Sequence, residues 1–253
     1  MTHQRDFDFS LRPIIPYAHD YQHGDSEAWH MHHCAQLIHT LSGVIRVDVR
    51  EGCWVVPPSR GVWIPANTPH ALHITGAVQA RVLFIDPLAR ADLPATCQVV
   101  SVSGLLRELI LSALPLAADD CSGSRDTRIY GLMLDEIRLM DTLPFHLPEP
   151  TSDRLKRLSE AVRAAPHQAW SIADAAAAIG ASGRTLNRHF YQQTGMHFSE
   201  WVRRARLLHA LTRLAQGEPI TRVALDLGYA TPGAFSVMFR RVMGVTPSDY
   251  FRR

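Results

Sequence analysis

The sequence predicts a two-domain α+β protein: a small N-terminal β-barrel over residues 1–95, a helical linker over 96–150, and an all-α C-terminal domain over 151–253. That last domain holds two helix-turn-helix units, at 171–192 and 219–241. Three observations carry this reading. Residues 28–86 are short β-branched and aromatic runs broken by Gly, Pro and Asn. From Asp153 onward, apolar residues recur at helical spacing between capping residues and glycines. The charge also changes sign between the halves. A chain of 253 residues is long enough to bury two separate cores.

In the first domain, Ile45, Val47 and Val49 alternate with Arg46 and Asp48, the period of a strand with one buried face. The neighbouring runs, among them LIHTL, CWVVP, GVWIP and VQARVLFI, extend this into an antiparallel sandwich or barrel. After Pro87 the period changes. Leu105, Leu106, Leu109, Ile110 and Ala113 predict one helix, and Ile129, Leu132, Met133, Ile137 and Met140 a second, with AADDCSGSRDT as the turn between them. Two roles are open to these helices: covering the barrel or forming the seam of a homodimer.

In the last domain, Ser152 or Asp153 can cap a helix running to about Ala164, Ser171 a second and Ser182 a third. Gly180, Gly195, Gly217, Gly228 and Gly244 fall where turns are needed.

Residues 1–151 hold 11 Arg and no Lys against 17 acidic residues, a net of −6. Residues 152–253 hold 14 Arg and one Lys against 7, a net of +8. A compact basic domain joined to an acidic one points to a polyanionic partner for the C-terminal half. The four cysteines, Cys34, Cys53, Cys97 and Cys121, show no CxxC pairing, so buried thiols are expected rather than a disulfide framework or zinc ribbon. No long apolar run and no signal-peptide pattern at MTHQRDFDFS is found, so the expectation is a cytoplasmic protein with no membrane partner.

The C-terminal domain repeats itself. Ile172 to Gly180 matches Ile220 to Gly228 at an offset of 48, whereas Phe190, Gly195, Ser199 and Trp201 match Phe239, Gly244, Ser248 and Tyr250 at an offset of 49. One residue is therefore gained within the turn or the following helix. Each copy has a helix of small residues, a Gly-centred turn and a second helix with a buried Leu or Phe, which is helix-turn-helix logic.

On Ser171-Ile172-x-Asp174-x-Ala176, Ser182-x-Arg184-x-Leu186-x-Arg188-x-Phe190, Leu227-Gly228-Tyr229 and Gly244-Val-Thr-Pro247-Ser-x-Tyr250, the segment 152–253 resembles the AraC/XylS family of regulators. The resemblance implies a transcription factor that binds promoter DNA, with a long helix at about 199–215 joining two recognition helices. On the first of these, Leu186 and Phe190 face inward, so Arg184, Asn187 and Arg188 are expected to read bases and Ser182 and Thr185 to contact phosphate. The second offers fewer reading groups. Thr231, Ser236, Arg240 and Arg241 are assigned to DNA there, chiefly for phosphate contacts, together with apolar contact to thymine methyls.

In the barrel, His30 and His32 lie two apart on a predicted strand and so face one side, and His70, after Pro69, can reach the same interior. The spacing Gly24-x5-His30-x-His32-x3-Gln36-x6-Gly43, with Pro65-x-Asn67-x2-His70, resembles the cupin motifs over about residues 24–86. Gln36 stands where metal-binding cupins usually carry Glu. Three imidazoles and an amide oxygen suit a divalent ion such as zinc, nickel or iron. The other readings are a metal-free pocket for a small-molecule effector, and a purely structural cluster. Trp29, Trp54 and Trp63 add aromatic bulk near the pocket or else pack the core, and His33, His39 and His73 are left unassigned. The arrangement looks like the short-cupin branch of the family that includes regulators of efflux and drug-resistance genes. The rival class is a metal-dependent cupin enzyme with a helical appendage, against which Gln36 and the basic repeat both argue.

Overall fold

The computed structural model describes residues 8–10, 12–115, 124–143 and 145–251. Cys121 and most of the turn at 117–127 lie outside the described residues. The chain divides into two units, residues 1–49 with 54–146, and residues 147–253 with 50–53.

The strands are β1 (Ile14–Tyr21), β2 (Ser26–His30), β3 (Ala35–Thr40), β4 (Val44–Val49), β5 (Gly52–Val56), β6 (Arg60–Ile64), β7 (His70–Thr75), β8 (Val78–Ile85), β9 (Gln98–Ser101), β10 (Thr142–Leu143) and β11 (His146–Pro148). They form a six-stranded sheet in the order β1-β8-β3-β6-β9-β10 and a five-stranded sheet in the order β11-β5-β4-β7-β2, so the hydrogen bonding is that of two sheets rather than of one closed ring. The region read as a helical linker thus also contributes three short strands. The alternation in β4 holds: Ile45 and Val47 are buried opposite Ile74 and Leu72 of β7, while Arg46 and Asp48 form an ion pair on the other face.

Helix α1 (Gly104–Ala113) starts where Ser103 Oγ accepts from Leu106 N at 3.0 Å, and α2 (Ser124–Arg138) follows it. Leu106 and Ile110 of α1, with Met133 and Ile137 of α2, pack in one core with Leu37, Trp63, Leu83 and Val100. These helices therefore cover one face of the six-stranded sheet. Trp63 belongs to that core and donates from Nε1 to Pro94 O at 2.7 Å. By strand alternation Gln36 and Phe84, each one residue from a member of that core, face the opposite side.

The second unit contains α3 (Asp153–Ala164), α4 (Ile172–Ala178), α5 (Gly183–Thr194), α6 (Phe198–Ala215), α7 (Ile220–Asp226), α8 (Pro232–Met243) and α9 (Pro247–Phe251). Ser152 occupies the N-cap position of α3 without a side-chain cap bond; its amide and that of Thr151 are held instead by Gln193 Oε1, at 3.0 and 2.9 Å. Ser171, Ser182 and Thr231 do cap, accepting from Asp174 N, Thr185 N and Ala234 N. The buried Trp201 ties α6 to the chain before α3 by donating to Pro148 O at 2.7 Å.

Both helix pairs close in the same way: Ala181 N donates to Ala176 O at 2.9 Å, and Tyr229 N to Ala224 O at 3.1 Å. Gly180 is two residues before the cap Ser182, whereas Gly228 is three before Thr231, so the residue gained between the repeats lies in the turn. Gly228, at φ +78°, also passes so close to His167 that a Cβ would sit 3.0 Å from its carbonyl oxygen. At Gly183 a Cβ would meet Ile172 Cγ2 at 2.8 Å, so the close approach of α4 and α5 depends on glycine there. No helix among the described residues is long and apolar enough to cross a membrane.

Candidate DNA-reading helices and a histidine pocket

On α5, Leu186 and Phe190 are fully buried, and the opposite face presents Arg184, Arg188 and Gln192 in steps of four, all exposed. Ser182 and Thr185 stand at the N-terminus of this helix with their hydroxyl oxygens 2.9 Å apart, Ser182 acting as the cap. Asn187 is half-buried, and its Oδ1 accepts from Phe198 N at 3.2 Å, holding the first turn of α6. One lone pair of that oxygen is thereby engaged in joining two helices. Gln192, which the sequence reading passed over, shares the arginine face; counting on by four from Arg188 finds it.

The offset of 49 maps this face onto α8, where Gly233, Val237 and Arg241 replace Arg184, Arg188 and Gln192. All three are exposed, Val237 to 72%. Thr231 is the cap, and Arg240 and Arg241 extend from the last turn. Ser236 is half-buried and donates from Oγ to Pro232 O at 2.9 Å within its own helix, so its hydroxyl hydrogen is already used.

In the other unit, His30, His32 and His70 converge, each with one ring nitrogen within 4.8 Å of those of the other two. His30 and His70 are cross-strand partners in β2 and β7, with ring centroids 4.3 Å apart. His32 lies beyond the end of β2, not on it as expected. The segment after β2 is pinned by Asn67, whose amide donates to His32 O at 2.8 Å and whose Oδ1 is 3.1 Å from His33 Nδ1. Asn67 takes a left-handed φ of 59°, a conformation that asparagine tolerates better than most residues.

His30 Nδ1 faces Ala28 O and His70 Nδ1 faces Thr68 O, both at 2.8 Å. Donation to Thr68 O leaves Nε2 of His70 with its lone pair, the arrangement that orients metal-binding imidazoles. His70 is 1% exposed, and burial, with His30 and His32 nearby, holds its pKa down at about 4 despite the opposing Thr68 bond. His70 Nε2 and Gln36 Oε1 are both buried and have no hydrogen-bond partner among the described residues. Orphaned acceptors of this kind are uncommon, and they are the lone pairs a cation needs.

Glu27 also reaches this site, although it was not among the expected residues. Its Oε2 is 3.3 Å from His30 Nε2, and its Oε1 accepts from Tyr21 OH at 2.5 Å. The β2–β7 register shifts between Glu27 and His30, a bulge that strand alternation cannot foresee.

Of the tryptophans, Trp63 packs beneath α1 and α2, Trp54 stacks on His146 at 4.1 Å, and Trp29 is 53% exposed. His73 pairs with Asp48 at 3.0 Å. His39 is buried, with Nδ1 against Arg60 O at 3.1 Å and, among the described residues, no partner for Nε2. Cys34 is a buried thiol whose pKa is pushed up to about 11 by that burial.

Residues 155–253 match the family described as "Helix-turn-helix domain" and residues 18–86 the family described as "Cupin domain". The HTH-type transcriptional regulator NimR of Escherichia coli (strain K12) is 31% identical over 224 residues, 88% of this chain and 82% of that protein. The HTH-type transcriptional regulator RipA of Corynebacterium glutamicum is 33% identical over 103 residues, 41% of this chain and 31% of that protein. Among solved structures, unsaturated fatty acid-bound ToxT of Vibrio cholerae is 15% identical with a TM-score of 0.38, over 97% of this chain and 96% of that one.

Proposed function

The chain belongs to the AraC family of transcriptional regulators, and from that premise we propose that it binds promoter DNA under the control of a divalent metal ion held by His30, His32 and His70. It is a DNA-binding regulator with a cupin-type sensor domain; the identity of the effector and of the reading residues is the proposal. The observation that supports a metal is the convergence of three imidazoles, one of whose buried acceptors, His70 Nε2, has no hydrogen-bond partner among the described residues. Zinc, nickel and iron all accept such a donor set. The ion supplies binding energy that orders the residues around it, and that differential binding shifts the regulator between states of different DNA affinity. Metal analysis of the purified protein, with DNA gel shifts before and after chelation, tests this. Metal content near zero with DNA binding indifferent to added zinc, nickel and iron rejects it.

A small organic effector is the second reading, favoured by Phe84, which lies 5.3 Å from the His32 ring and gives the pocket an aromatic wall. A metal-free protein whose melting point rises with an organic ligand supports that reading over the first. The cupin-enzyme alternative predicts oxygen uptake or turnover by the iron-loaded protein; a regulator shows neither.

At the DNA, Arg184 and Arg188 are proposed to read guanine edges, with Ser182 and Thr185 on phosphate. Thr231, Arg240 and Arg241 are proposed to hold phosphates, and Val237 to touch a thymine methyl. A site selected from random duplexes should show sharper base preference under α5 than under α8, and equal information under both rejects the assignment. A homodimer is also proposed: Leu105 of α1 and Leu132 of α2 stay exposed while the buried sides of these helices cover the sheet. Sedimentation of the protein as a monomer at micromolar concentration, with or without DNA, counts against it.

A further inference from the structure

We propose that Glu27 supplies the anionic ligand of the histidine pocket, the charge that Gln36 does not provide; this rests on the metal reading above. Three neutral imidazoles leave a dication uncompensated beside His70, which is 1% exposed, and leave the fourth position of a tetrahedral site open. Removing that much charge from water is costly unless an anion enters the same shell. Glu27 brings a carboxylate to that place, with Oε2 at 3.3 Å from His30 Nε2. Around a tetrahedral ion with bonds of about 2.0–2.1 Å, neighbouring ligand atoms are about 3.3–3.4 Å apart. Glu27 and His30 have that spacing; Glu27 lies outside the trio whose ligand atoms are all within 4.8 Å of one another, so its carboxylate has to move toward His32 and His70 when an ion binds.

The backbone explains how both reach the site. Residues three apart on a regular strand face opposite sides, but the register shift between Glu27 and His30 turns both toward the same ion. Tyr21 OH then holds Oε1 at 2.5 Å, which fixes the carboxylate with Oε2 toward His30.

Cobalt titration of the full-length protein tests the assignment, read by visible d–d absorption and by competition with a chelating dye. Wild-type protein should bind one Co²⁺ per chain with the intense bands of a four-coordinate site. Glu27→Gln should weaken binding by about 10- to 100-fold and alter the bands. Tyr21→Phe, which leaves every proposed ligand in place, should weaken it less. Circular dichroism of each metal-free variant controls for folding, and Tyr21→Phe keeps the test open if Glu27→Gln does not fold. A Glu27→Gln protein with wild-type affinity and spectrum, or a Tyr21→Phe protein indistinguishable from wild type where it alone folds, overturns the role of Glu27 and leaves the histidine site standing. Failure of wild-type protein to take up Co²⁺ overturns both.

Discussion

Arg188 lies one helical turn beyond Arg184 on the exposed face of α5, clear of the buried Leu186 and Phe190, with its Nη2 3.3 Å from His189 Nε2. Arg188→Ala should cost about 1–3 kcal/mol against the preferred site and relax base preference at one position. Arg241→Ala should weaken all sequences alike and reduce the slope of log affinity against log salt by about one. Competition binding on the selected site and on scrambled DNA, at several salt concentrations, separates the two, and the reverse pattern contradicts the helix register. His39 carries a different prediction. Burial, with Arg107, Arg81 and Arg60 adding to it, holds its pKa near 4 against 6.5 for an ordinary histidine. Between these values the unfolded chain binds the extra proton, so stability is full above about pH 6.5 and falls as the pH drops toward 4. The loss is on the order of 3 kcal/mol by pH 4, and His70, shifted the same way, adds to it. Urea denaturation at pH 7.5, 6 and 5 should show this slope, and His39→Asn, whose side-chain amide can still donate to Arg60 O, should flatten part of it. An unchanged slope refutes the assignment to His39.

At the scale of elements, Ser182 fixes the start of α5, and Asn187 fixes the start of α6. Ser182→Ala should cost about 1 kcal/mol of stability, read from the chemical denaturation midpoint. Asn187→Ala should destabilise by a similar amount while leaving base preference unchanged if joining the helices is its whole role; a base-specific defect in this variant would show that it reads a base as well. Much of this architecture is legible in the sequence because it is local: caps, turn glycines and the repeat lie within a few residues of what they control. The alternation of β4 and the stripes of α1 and α2 are visible for the same reason. What escapes is set by contacts far along the chain. Asn187 Oδ1 is engaged by a backbone amide eleven residues away. Glu27 enters the pocket through a bulge, and only pairing with β7 reveals it. Trp63, for which the sequence leaves pocket and core both open, takes the core reading because its side of β6 lies beneath α1 and α2.

For the molecule as a whole, one chain joins a sensor domain with an acidic sequence to a basic helix-turn-helix domain, and the regulatory claim is that occupancy of the first changes the DNA affinity of the second. By linkage the effect is reciprocal: if zinc strengthens DNA binding by some factor, the DNA site strengthens zinc binding by the same factor. The measurement that tests this most directly is footprinting of the DNA upstream of the gene and its neighbours, at low ionic strength, with metal-free and zinc-loaded protein. Protection over two adjacent major-groove segments, at a protein concentration that shifts severalfold with zinc and no longer shifts in His70→Ala, is the result expected. Protection that is absent from every fragment in both forms, or that is identical with and without the ion, contradicts it.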